Sequence, residues 1–460
     1  ETLTVAITAT TATGEYTVPT TVTNPGSQTY TVTEIAAEAF AYNQELTAVT
    51  IADSVETIGA SAFKDCTELE EVTFGEKVKT IGNNAFEGCS KLDGVTLPES
   101  VASIGEEAFK DCEELSEISI PGEVEEIAKG TFEGCTNLET VTFGSEGAPT
   151  TLTTIGERAF YGCESLEEIT IPTTVETIGN EAFYGCTGLE KADFGGKTAQ
   201  LGTIGESAFA GCTDLVEVIL PDSVTEIGAE AFADCTTLDK AVMGSGVTDL
   251  GDGAFRDDTN LTTVYFNADA PATDGDPFDG CENLEVIYYP AGTTGWDVEP
   301  WTNYNMVEVA EPVIDVDPKD LTVVLGEEAS FTVEVTSAEP PTYQWYKGTN
   351  SIAGATDATY VIDAADYADI GSYSVTVSNY VGIVTSDAAT LTVQTPVGST
   401  FVDGTGTYKV LTNGETLTVA ITATTATGEY TVPTTVTNPG NQAYTVTEIA
   451  AEAFAYNQDL

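Results

Sequence analysis

The sequence contains no histidine. It therefore lacks the commonest general base and the commonest metal ligand, and no Ser–His–Asp or Cys–His arrangement can be assembled. Basic side chains are also scarce, 14 against 75 acidic ones, giving a formal net charge of −61. A nucleic-acid partner is excluded on that ground, because phosphates need Lys and Arg to neutralise them. An anionic membrane surface would repel the chain for the same reason. No apolar run is long enough to span a bilayer, so no membrane insertion is expected in this segment. There is no signal peptide, starting Met or sorting motif. That says nothing about targeting, because both ends read as cuts within a longer polypeptide, as set out below. Also missing are a G-x-x-x-x-G-K phosphate loop, a G-x-S-x-G elbow and any CxxC-type cluster, and no S-x-x-K motif stands out. Paired carboxylates occur everywhere, so two of them side by side carry no information. The expectation is that the chain is not an enzyme and has no cofactor.

What is present is a folding chain with an acidic skin. Apolar residues make up 41% of the 460, and the acidic residues are interspersed among them. That is too much apolar content for a disordered acidic tail. The surface charge suits high salt or divalent cations, which screen it. The length predicts two to four domains.

A 23-residue period dominates. One rung reads "VASIGEEAFKDCEELSEISIPGE" at 101–123. Its Phe recurs as Phe40, Phe63, Phe86, Phe109, Phe132, Phe160, Phe183, Phe209, Phe232, Phe255 and Phe278, spaced by 23 except for steps of 28 before Phe160 and 26 before Phe209. The extra residues read as loops on one edge of the stack. Within a rung, Leu115, Ile118 and Ile120 fit a strand with Ile118 and Ile120 on one face, and Pro121 ends it. Val101 and Ile104 make a second extended segment. Gly105 permits the turn that follows, and Ala108 and Phe109 point inward from a helical or irregular turn. One rung cannot bury these groups alone, whereas stacked rungs share a continuous core.

In register, "IGxxAFxxCxxLxxVxIP" over about residues 31–290 resembles the BspA-like (Treponema pallidum-type) leucine-rich repeats of bacterial surface proteins. The resemblance implies a prokaryotic cell-surface or extracellular location and a role in adhesion. Residues 1–30 look like the β-rich cap that precedes such arrays, and 291–310 hold a C-terminal cap with Trp296 and Trp301, followed by a linker. Residues 311–394 lose the period. Their "YQWYKG" and "DIGSYSVTVSN" resemble an immunoglobulin-like sandwich, with Trp345 as core Trp, Tyr373 as tyrosine corner, and Val333 and Val375 where antibody domains carry a disulfide. Residues 395–460 then form a linker, a cap and the first rung of another array. The expected fold is mainly β: a leucine-rich-repeat solenoid of 23-residue rungs, an immunoglobulin-like β-sandwich and the start of a second solenoid.

That restart is nearly verbatim. Residues 415–460 repeat residues 1–46, differing only at Ser27/Asn441, Thr29/Ala443 and Glu45/Asp459. The repeat unit is therefore 414 residues long, and residues 400–414 supply a strand that the first copy lacks. Both visible ends read as arbitrary cuts in a repetitive protein.

Nine cysteines each fall three residues after a rung Phe: Cys66, Cys89, Cys112, Cys135, Cys163, Cys186, Cys212, Cys235 and Cys281. Asn43, Asp258 and Asn457 take that place in the remaining rungs. A ladder of buried thiols acting as small apolar groups is expected. Stacked residues have parallel Cα–Cβ vectors, which fit disulfide geometry poorly.

Two surface features stand out. The loop "NADAPATDGDPFDG" offers Asp269, Asp274, Asp276 and Asp279 as oxygen ligands for calcium, although the spacing departs from the EF-hand pattern and a plain acidic loop is the alternative. The strand residue facing outward is hydroxyl-bearing for six rungs, from Thr50 to Thr170. After Asp193 it becomes Ile219, Val242, Tyr265 and Tyr288. This stripe is a candidate interaction surface, covered either by the Trp296/Trp301 segment folding back, or by the immunoglobulin-like domain or a neighbouring molecule. Two functions follow. One is a structural extracellular fibre or surface layer of tandem units, whose partners are neighbouring units of the same protein. The other is an adhesin whose solenoid face binds a host protein, another cell or a glycan. Tyr161 and Tyr184 suit either.

Overall fold

The computed structural model describes residues 4–8, 11–144, 150–413, 417–426, 430–451 and 453–454. The chain divides into two compact units, Glu1–Glu308 and Val309–Leu460. No helix among the described residues is long and apolar enough to cross a membrane.

The first unit is a stack of rungs, each carrying two short parallel ladders. One ladder runs through Thr57–Ile58, Thr80–Ile81 and Ser103–Ile104. It resumes in a second sheet from Glu126–Ile127 to Asp249–Leu250. The other carries the outward row, from Leu46–Thr50 to Val286–Pro290, broken into four sheets. Register advances by one rung and survives both longer steps: Ile127 pairs with Ile155, and Ile178 with Ile204. The first inserted loop, 145–149, lies outside the described residues. The second forms a 3-10 turn, Gly196–Thr198.

Burial follows the rung pattern. Val101, Ile104, Ala108, Phe109, Cys112, Leu115, Ile118 and Ile120 are all buried, and Glu117–Ile120 alternates exposed and buried. The eleven Phe rings stack face to face with centroids 4.8–5.6 Å apart, close to the strand spacing that sets the rung height. Tyr16 closes the column at one end, edge-on to Phe40 at 5.4 Å, and Tyr304 closes it at the other, edge-on to Phe278 at 5.7 Å.

The segment bearing Ala108 and Phe109 is a run of turns rather than a helix. Every rung from Phe40 to Phe255 spends two residues there in the left-handed region. Glu107 (φ 55°) and Asp111 (φ 56°) are one such pair, and Glu181 (φ 54°) and Gly185 (φ 69°) another. The rung glycine preceding these turns has a different role from the one its position suggests. A Cβ on Gly59 would sit 2.5 Å from the Ala37 nitrogen, and one on Gly228 would sit 2.5 Å from the Glu206 nitrogen. These glycines admit the backbone of the preceding rung; neither has the positive φ of a turn glycine. Gly228→Ala is therefore expected to cost about 1–3 kcal/mol through forced rung separation. Urea unfolding followed by circular dichroism checks this, and an unchanged midpoint would refute it.

In the second unit, residues 313–394 form the sandwich. Trp345 and Val375 are opposite each other on antiparallel strands Thr342–Lys347 and Gly371–Ser378. Val333, Trp345 and Val375 are buried in one cluster, so an apolar contact stands where antibody domains have a disulfide. The Tyr373 hydroxyl donates to the Asp369 carbonyl at 2.7 Å, as a tyrosine corner requires. The restarted segment belongs to the same compact unit as the sandwich. Asn438 donates to Thr395 at 2.8 Å, and Gly440 lies against Tyr367 and Ile370. Asn457 lies outside the described residues.

Candidate functional site

The outward row is assembled as a ladder. Ile219 pairs with Val242, Val242 with Tyr265, and Tyr265 with Tyr288. Ile219 is 51% exposed; the other three are half-buried. The Tyr265 and Tyr288 rings stack at 5.1 Å, and the Lys240 ammonium lies 5.3 Å from the Tyr265 centroid. The two indoles of the Trp segment turn to the core. Trp296 and Trp301 are buried and pack on Phe266 at 5.0 and 5.3 Å, and Trp296 also stacks on Tyr289 at 5.1 Å. Phe266 and Tyr289 are the neighbours of Tyr265 and Tyr288 that belong to the core. The two indoles thus close the end of the core, where an exposed apolar rung edge would otherwise meet water.

A second aromatic pair lies on the turn side. Tyr161 and Tyr184 stack at 5.0 Å with planes 7° apart, and the Arg158 guanidinium sits 4.9 Å from the Tyr161 centroid. Arg158 also pairs with Glu181 at 2.6 Å. Four lysines are used in the same way, bridging one rung to the next: Lys79–Glu56 at 2.8 Å, Lys91–Glu68 at 2.7 Å, Lys110–Glu133 at 2.9 Å and Lys129–Glu157 at 2.6 Å. Such exposed pairs add little stability individually.

The four calcium candidates are not brought together. Asp269 accepts from the Thr294 N–H at 2.7 Å. Asp276 accepts from the Phe278 N–H at 3.1 Å and from the Tyr304 hydroxyl. Asp274 lines an open groove of about 520 Å³ with Glu226, Asp249 and Asp252, and the Asp279 carbonyl accepts from the Asp257 N–H at 2.9 Å. Among the described residues no three acidic or thiol side chains are grouped to hold a metal ion. Asp269 and Asp276 instead pin the C-terminal cap to the last rungs.

The cysteine ladder has a role beyond filling space. Each thiol donates to the carbonyl of the preceding rung's Phe, from Cys66 to Phe40 (3.1 Å) through Cys186 to Phe160 (3.2 Å) to Cys281 on Phe255 (2.9 Å). Burial pushes the Cys66 thiol up to about 11 and the Cys186 and Cys281 thiols up to about 12. Because the thiolate is the reactive form, all nine are expected to resist a disulfide reagent at pH 8 in the folded chain and to react on denaturation. Rapid labelling of the native chain would contradict this. The exact spacing of Cys behind Phe was the available sequence signal, but spacing alone does not reveal a donor–acceptor pair.

With the rungs in view, the comparisons are decisive. A family model described as "BspA type Leucine rich repeat region", in six copies, matches residues 33–148, 147–203 and 197–306. The chain belongs to the BspA-type leucine-rich repeat family. An immunoglobulin domain model matches residues 311–379. Among solved structures, the BspA-type chain is similar to a leucine rich cell surface protein from Faecalibacterium prausnitzii (32% identity, 66% of this chain and 89% of that one, TM-score 0.44). It is also similar to a leucine-rich repeat protein from Bacteroides ovatus (25% identity, 64% and 92%, TM-score 0.44). One curated relative is endoglucanase C of Cellulomonas fimi, 36% identical over 87 residues; that match spans 18% of this chain and only 8% of the enzyme.

Proposed function

We propose that this chain is a segment of a structural bacterial surface protein, an extracellular fibre or surface layer built from tandem 414-residue units of BspA-type solenoid plus immunoglobulin-like domain. The observation that carries this is the second copy of the cap. Its text returns 414 residues after the first with three changes, and it folds with the same pairing. Thr4–Thr31, Val5–Val32, Ala6–Glu34 and Ile7–Ile35 recur as Thr418–Thr445, Val419–Val446, Ala420–Glu448 and Ile421–Ile449. A spacer needs repetition more than individually tuned sites, and near-identity of distant copies fits that need. The cell-surface relative supports the location. Electron microscopy of native material tests the proposal: a filament or layer with a regular repeat is expected, and isolated monomers would refute it.

A second reading, an adhesin, draws on the exposed Ile219 beside the stacked Tyr265 and Tyr288. Ile219→Asp should leave the solenoid folded, because the residue lies half outside the core, and should weaken saturable binding to a cell surface or a glycan. Unchanged binding by the folded variant would dismiss this role for the row.

A further inference from the structure

The two copies of the cap share a sequence and a register but not their surroundings. In the second copy, strand Leu417–Thr424 pairs with Ala443–Ile449 on one edge and antiparallel with Gly406–Asn413 on the other. Gly406–Asn413 is one arm of a hairpin whose other arm is Thr400–Asp403. In the first copy, the equivalent strand Thr4–Ile7 is the last of its sheet. Among the described residues its only strand partner is Thr29–Ile35.

Burial records what the hairpin does. Its Tyr408 and Val410 are buried, and Phe401 lies 5.6 Å from the Tyr444 ring, centroid to centroid. Under it Ala420, Ile421, Val436 and Tyr444 are at most 3% exposed. Their counterparts Ala6, Ile7, Val22 and Tyr30 are only half-buried. The hairpin's Asp403 accepts from the Thr437 N–H at 2.7 Å, and the counterpart of Thr437 is Thr23, on the strand Thr21–Thr23 that pairs antiparallel with Thr29–Thr31. Of the three substitutions between the copies only Thr29/Ala443 falls on these strands, and Ala6, Ile7, Val22, Thr23 and Tyr30 are the same in both. The same face is thus covered in one copy and half open in the other, and an unpaired strand edge is a template for another strand.

We infer that the edge of Thr4–Ile7 and the adjoining Val22 and Tyr30 surface receive a β-hairpin of the Thr400–Asn413 sequence, supplied by another unit of the same protein. The register follows from the second copy: Tyr408 opposite Ile7, Lys409 opposite Ala6, Val410 opposite Val5 and Thr412 opposite Thr4. Phe401 then covers Tyr30, and Asp403 caps the Thr23 N–H. The inference deepens the tandem-unit proposal and rests on it for the source of the hairpin, in the same chain or in a neighbouring molecule.

The test adds residues 396–414 ahead of Glu1 of the full chain, in natural order or scrambled, and follows backbone hydrogen exchange. With the natural order, exchange at Thr4–Ile7 and at Val22–Thr23 is expected to slow by about tenfold or more. Tyr408→Asp with Val410→Asp in the added segment should abolish the protection. Equal exchange in the natural and scrambled chains would overturn the inference, as would protection that survives both Asp replacements. Protection of the scrambled chain that rises with protein concentration would mean the edge pairs with its own kind, and would also overturn it. None of these outcomes bears on the native filament, so the joint and the tandem proposal fail independently.

Discussion

Phe160→Ala is expected to destabilise the solenoid by about 3–5 kcal/mol, the cost of emptying a buried aromatic site. Phe160 is buried between Phe132 at 5.3 Å and Phe183 at 5.2 Å. Its neighbours cannot collapse into the gap, because each is held in its own rung by two strand ladders. Stability in a stacked array is nearly a sum of rung terms and nearest-neighbour interfaces, so the loss falls on two adjacent interfaces at once. Unfolding by urea should then separate into two transitions, one for the rungs on either side of the break. Thr170→Ala, on the exposed outward row, should stay within about 0.5 kcal/mol of the parent. A single transition with a midpoint matching that of Thr170→Ala would contradict the ladder as the main support of the stack.

Asp258→Asn should change the pH dependence of stability. Asp258 occupies the ladder position where other rungs carry Cys. It is buried, its Oδ1 accepts from the Cys235 N–H at 2.8 Å, and its Oδ2 has no partner among the described residues. Burial pushes its carboxyl up to about 9, opposed by the Cys235 N–H and reinforced by the Asp234 and Asp257 charges. The folded-state value thus lies above the unfolded one, which is about 3.9. Between them the folded chain holds a proton that the unfolded chain has lost. Stability therefore falls as pH rises through this window, by about 1.4 kcal/mol per unit, and the loss levels off above the folded value. An amide carries no such slope. The advantage of Asp258→Asn over the parent should grow by about 4 kcal/mol from pH 5 to pH 8. Urea midpoints of both chains at matched pH check this, and taking the difference cancels the titration of the rest of the acidic surface. A difference that stays constant with pH would mean that Asp258 is charged in the folded state.

The rungs were legible because their determinants are local and repeated. The rung Phe and the apolar residues at fixed offsets around it recur on both sides of each insertion, which is why two longer steps left the pairing intact. The sandwich was legible from Trp345 and Tyr373. What the sequence concealed is contact chemistry between rungs. The spacing of Cys marks a ladder, but that each thiol bonds the Phe carbonyl one rung back depends on stacking geometry. The rung glycine suggested a turn, whereas the constraint is the backbone of the rung below. Trp296 and Trp301 suggested a flap over the outward row, yet two large rings at the end of an apolar stack are drawn to its uncovered core. The calcium candidates shared a loop in sequence, but Asp269 and Asp276 were committed to N–H groups and a hydroxyl of the cap, which composition does not reveal.

The central claim is that the 414-residue unit is repeated along one polypeptide. Denaturing electrophoresis of the native material tests it most directly. The account predicts one very large chain, or a ladder whose steps equal the mass of one unit. A single band near the mass of this 460-residue chain would contradict it.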